Sequence, residues 1–92
     1  MSYTIIYSRK FKKDLKRCFK RGLDVEKLRE VIRILENQGT LPPQYRPHKL
    51  SGKFDNNWEC HIQPDWLLVW EQRESELILV LIETGSHADI FG

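Results

Sequence analysis

Apolar residues recur along this chain in two periods, and the change between them separates a helical part from a sheet part. In residues 9–21, RKFKKDLKRCFKR, the residues Phe11, Leu15, Cys18 and Phe19 fall at i, i+4, i+7 and i+8, one face of an amphipathic helix. Ser8 precedes it as an N-cap, its hydroxyl able to accept from an unpaired backbone N–H, and Gly22 closes it. Asp24 caps a second helix in the same way, with Glu26 well placed for the helix dipole. Val25, Leu28, Val31, Ile32 and Leu35 carry that helix to about Asn37, where Asn-Gln-Gly breaks it. The pair forms a hairpin with one shared apolar side. Ahead of it, YTIIYS at 3–8 has the β-branched and aromatic content of a short strand.

The period then shortens. TLPPQYRPHKLSGKFDNN, with its three prolines, reads as a rigid loop over the surface. WECHIQ, WLLVWEQ and LILVLIE follow as strands, joined by connections short enough for hairpins, and make an antiparallel meander. In the first of these, Trp58, Cys60 and Ile62 alternate with Glu59, His61 and Gln63, so His61 points away from the core. The expected architecture is α+β: an N-terminal strand and a helical hairpin packed on the meander, the helices covering one sheet face and leaving the other available.

Ninety-two residues suffice for one domain, residues 1–92, burying roughly two-thirds of the surface of the unfolded chain. No secretory leader or membrane span can be drawn, which predicts a cytoplasmic protein. Cys18 and Cys60 lack any C-x-x-C spacing and read as reduced, buried thiols. The net charge of +2 hides an asymmetry. Residues 1–53 hold fourteen Lys or Arg against five acids, +9, while residues 54–92 hold one against eight, −7. Such a first half suits a polyanion or an acidic partner, although its basic helices can also pair with the acidic half.

Candidate chemistry rests on the three histidines: His48 in the proline-rich loop, His61 on the polar side of a strand, and His87 after the last strand. Asp65 lies in the turn just after His61. From a loop, a strand and a tail these groups can converge on the open sheet face. A zinc site normally shows close pairs such as H-x-x-x-H, which are absent, so no metal or other cofactor is expected. Metal-free RNA cleavage instead needs a base for the 2′-OH, an acid for the leaving 5′ oxygen and cations for the phosphorane. Histidine, titrating near about 6.5, serves as either base or acid. The basic half would hold the phosphate backbone, and Trp66, Tyr45 or Phe91 could stack on a base.

The stretches LPPQYRPHKLSGKF, WECHIQPDWLLVW and ELILVLIETGSHADIFG resemble the YafQ branch of the RelE/ParE superfamily, bacterial toxins of type II toxin–antitoxin pairs. The resemblance spans essentially the whole chain. It rests on His-x-x-Pro-Asp-Trp, followed by Thr-Gly-Ser-His and a terminal Phe-Gly. It implies a RelE-like fold and a metal-independent endoribonuclease that cleaves mRNA in the ribosomal A site and is silenced by a cognate antitoxin. By the same resemblance His48, His61, Asp65 and His87 form the acid–base group, Trp66 is a structural or substrate-positioning neighbour, and Phe91 contacts a base. One position departs: where family members often carry Arg two residues before that Gly, this chain has Glu83. Either Arg46, Lys49 or Lys53 supplies the missing cation, or Glu83 has become a general base, or activity is weakened. A gyrase-binding toxin of the ParE type, or a non-cleaving RNA- or ribosome-binding relative, are the competing readings.

Overall fold

A computed structural model describes residues 2–51 and 57–92. The elements follow as β1 (Thr4–Tyr7), α1 (Arg9–Lys20), α2 (Val25–Gln38), a 3-10 turn (Pro43–Tyr45), β2 (His48–Lys49), β3 (Asn57–Gln63), β4 (Trp66–Arg73), β5 (Ile78–Gly85) and α3 (His87–Phe91). Both expected N-caps form: Ser8 Oγ accepts from the Phe11 N–H at 3.0 Å, and Asp24 Oδ1 accepts from the Glu26 N–H at 3.0 Å. α2 ends on Gly39 in the left-handed region, φ 70°, where any Cβ would lie 2.6 Å from the Tyr3 ring.

Among the described residues the sheet has the order β1-β5-β4-β3-β2. The meander β3-β4-β5 is antiparallel as expected, but the sheet is mixed, because β1 joins its edge parallel to β5. Two further elements depart from the sequence-based expectation. The proline-rich segment is not purely loop: Pro43–Tyr45 forms a 3-10 turn, and the extended residues after Pro47 add β2 to the free edge of β3. The C-terminal tail is helical rather than irregular. Ser86 Oγ accepts from the Asp89 N–H while the Asp89 carboxylate accepts from the Ser86 N–H, a complete capping box.

One side of the sheet packs on α1 and α2 around Phe11, Cys18, Leu28, Val31, Leu35, Cys60, Trp66, Leu68, Trp70, Leu79 and Leu81, all essentially inaccessible. Each such large side chain contributes about 1.5–3 kcal/mol through burial. The register of β4 against β5 shifts between Val69 and Trp70: Trp70 faces Leu81, Val69 faces Glu83, and Ile82 is the extra residue of a bulge. Strict alternation would put Glu83 on the core side with Leu79 and Leu81. The bulge sends Glu83 to the other side and brings Thr84 into the core beside Leu68.

Thr84 uses that position fully. Its hydroxyl donates to the Leu67 carbonyl at 2.6 Å and accepts from Trp66 Nε1 at 2.9 Å, both bonds buried. Thr84→Val keeps the shape and strands the indole N–H. It should lower the unfolding free energy by about 1–3 kcal/mol in urea titration with an unchanged denaturant slope.

Candidate active site

Cross-strand partners share a face of a sheet. His48 pairs with Glu59, Glu59 with Val69, and Val69 with Glu83; in the adjacent row His61 pairs with Leu67 and Leu67 with Gly85. These two rows lie on the face opposite the helices. Leu67 and Val69 are buried there outside the main core cluster and form an apolar floor between polar side chains.

Three imidazoles gather on this face. The His48 and His61 ring centroids are 6.5 Å apart, and those of His61 and His87 5.5 Å. In each ring Nδ1 meets an oxygen: the Arg46 carbonyl at 3.0 Å for His48, the Pro64 carbonyl at 3.3 Å for His61, and Asp65 Oδ1 at 2.6 Å for His87. A carbonyl or carboxylate oxygen only accepts, so each Nδ1 meets it as a donor, while the Nε2 atoms of His48 and, more distantly, His61 turn toward the Glu59 carboxylate. Asp65 Oδ1 also accepts the His87 backbone N–H at 2.8 Å, which fixes both the ring and the start of α3. That backbone bond first, and then the ring contact, hold the Asp65 carboxyl below the usual carboxylate range.

A residue not singled out from the sequence stands at the centre. Glu59 is 4% exposed, and its Oε1 lies 3.3 Å from His48 Nε2 and 3.9 Å from His61 Nε2. Its Oε2 is buried without a hydrogen-bond partner among the described residues. The clue was available in WECHIQ, since the alternation that turns His61 outward turns Glu59 the same way. Further along the same row Glu83 is buried and pairs with Lys10 Nζ at 3.3 Å. Burial works against the Lys10 ammonium, but the ion pairs with Asp14 and then Glu83 outweigh it and raise its pKa. The neighbouring Cys60 thiol is pushed up by burial and then by Glu59, so it stays a neutral core group.

The remaining candidates divide. Arg46 lines a cleft of about 450 Å³ together with His61 and His87. Lys49 pairs with Trp58 and so lies on the opposite side of the sheet from His48. Lys53 lies outside the described residues. Trp66 is 1% exposed and supports the site from beneath. Phe91 is half exposed on α3, one turn beyond His87. A separate apolar groove of about 530 Å³ beside Leu15, Phe19 and Val25 contains none of these groups.

Fold and site define a small α+β protein with three imidazoles and two carboxylates gathered on an open sheet face. Residues 3–92 match the model of the family described as the bacterial toxin of type II toxin–antitoxin systems, YafQ, and the chain belongs to that family. It is 35% identical over 89 residues to the mRNA interferase toxin YafQ of Escherichia coli K12, covering 96% of this chain and 95% of that one. The E. coli DinJ-YafQ toxin–antitoxin complex contains a similar chain, with a TM-score of 0.90, 33% identity and full coverage of both chains. A metal-bound toxin from Helicobacter pylori is 41% identical, with a TM-score of 0.88, over 99% of this chain and 100% of that one. Among the described residues here, no group of three or more His, Cys, Asp or Glu side chains is arranged to hold a metal ion.

Because the folded-state pKa of Asp65 is lowered, the stability it contributes is fully present above the ordinary carboxylate pKa and is lost as pH falls through the lowered value. The His87 amide resonance should therefore show an acidic step with a midpoint below about 3.9, and that step should vanish in Asp65→Asn. A midpoint at the ordinary value would mean that the contact does not form in solution.

Proposed function

We propose that this chain is the toxin of a type II toxin–antitoxin pair, a ribosome-dependent endoribonuclease that cleaves mRNA in the A site. The observation that carries the reading is the convergence of three imidazoles, each with its Nδ1 against an acceptor oxygen. Family membership and the mRNA interferase name of the E. coli relative support it.

In the proposed reaction the 2′ oxygen attacks the adjacent phosphate and the 5′ oxygen leaves. One group must take a proton and another must give one. The Asp65–His87 pair and the His61–Glu59–His48 cluster provide two such groups side by side. Arg46, lining the cleft with His61 and His87, is the cation placed to neutralise the phosphorane. Glu83, buried and paired with Lys10, is a structural ion-pair member in this reading and not a base. Phe91 is the surface for stacking a base, and Trp66 holds the floor.

The partner is an antitoxin, as the E. coli DinJ-YafQ toxin–antitoxin complex supports, and the basic first half suits an acidic segment of it. No helix among the described residues is long and apolar enough to cross a membrane, in keeping with action on cytoplasmic ribosomes.

Expression without antitoxin should arrest growth and produce codon-phased cuts in a reporter mRNA, read by primer extension. His87→Gln and His61→Ala should each slow cutting by about 10²-fold or more, and Glu59→Gln by a smaller factor. Uncut message with accumulated DNA breaks would replace this reading with gyrase binding. Ribosome association without cutting would replace it with a catalytically silent relative.

A further inference from the structure

α3 carries both His87 and Phe91 yet has only five residues, too few to persist as an isolated helix. Its placement therefore depends on what grips it. The Asp65 bond holds its first residue. The second grip is Asp89. Arg21 Nη1 donates to Asp89 Oδ2 at 2.6 Å and Nη2 to Oδ1 at 3.1 Å, a bidentate pair that fixes angle as well as distance. Arg17 Nη2 stands 3.7 Å from the same carboxylate and donates to the Thr84 carbonyl at 3.2 Å. Asp89 also closes the capping box on Ser86. The Asp89 side chain is only 16% exposed and that of Arg21 45%, so the pair reaches solvent and what it supplies is chiefly geometry. Packing leaves no slack: a Cβ on Gly85 would lie 2.7 Å from Asp89 Oδ2 and 2.9 Å from Arg17 Nη2.

We propose that Arg21 and Asp89 form a positioning latch for mRNA cleavage, setting the angle of α3 and with it the reach of His87 and Phe91 toward the substrate. The proposal rests on the nuclease reading above and adds to it two residues that need not touch RNA. Arg21 terminates α1, its backbone N–H bonded to the Arg17 carbonyl at 3.0 Å, so the latch is anchored on the long basic helix and transmits that helix's position to the active face. The Asp89 carboxyl is held far below its usual range, first by Arg21 and then by the Ser86 N–H, so the latch stays ionised throughout the physiological range.

The test is a charge-swap cycle on the full chain with purified ribosomes and a short message, measuring ribosome affinity and the cleavage rate at saturating ribosome separately. Asp89→Ala and Arg21→Glu should each lower that rate by about 10²-fold, as displacement of a reacting group by about 1 Å does, with affinity changed less than threefold. Arg21→Glu combined with Asp89→Arg should recover most of the loss. A second readout does not need cleavage: in the single variants the His87 amide resonance and its Asp65-linked titration should shift, and in the double variant they should return, while the near-ultraviolet signal of the tryptophan core stays at parent values. Parent-like rates in both single variants, or a double variant no faster than the slower single one, would overturn the latch. So would an effect on affinity alone, which would make Arg21 a plain phosphate contact. If the parent chain itself cuts nothing, the nuclease reading fails, and the resonance measurements alone decide whether the latch exists.

Discussion

The structure depends on how the edge of β5 is completed. β1 pairs with β5 only as far as Tyr7 opposite Leu81, so beyond that point the edge would expose unpaired backbone groups. Side chains at the start of and along α1 take over. Ser8 Oγ donates to the Ile82 carbonyl at 2.8 Å, Asp14 Oδ2 accepts from the Thr84 N–H at 3.2 Å, and Arg17 Nη2 donates to the Thr84 carbonyl at 3.2 Å. A helix thus stands in for a strand. Asp14, only 2% exposed, tolerates burial because Lys10, Arg17 and a backbone donor all face it.

Everything at the candidate site hangs from that seam. Thr84 is bound through its backbone to α1 and through its hydroxyl to Trp66 and Leu67, so α1, β4 and β5 meet at one residue. Two residues later the chain reaches Ser86, the N-cap of α3. Trp66 follows Asp65 directly, which couples the buried indole to the turn that supports His87. The imidazoles are accordingly placed by rigid elements and by backbone acceptors, the condition under which acid–base groups keep productive geometry.

The charge asymmetry takes a specific form in three dimensions. Lys10 with Glu83 and Arg21 with Asp89 each join the basic first half to the acidic second half. Part of the apparent polyanion surface is therefore internal structure. The two readings apply to different parts of the basic half: cations of and next to α1 brace the fold, while Arg46, outside that helix, faces the cleft.

Local periodicity and capping residues were enough to establish the two helices and their caps, the three meander strands and the outward turn of His61, because each depends on residues close together in the chain. The S-x-x-D capping box of α3 was equally local and could have been read. Other features were non-local. The parallel docking of β1, the two-residue β2, and the burial of Asp14 and Glu59 arise from partners far away in sequence. The role of Glu83 turned on a single bulge, since one extra residue in β5 moves a side chain from one face of the sheet to the other. Sequence alone determined the three histidines and Asp65 as candidates for chemistry; tertiary structure decided that they meet and that Glu59 joins them, because only cross-strand register and the seam along β5 bring His48, Glu59, His61, Asp65 and His87 onto one face.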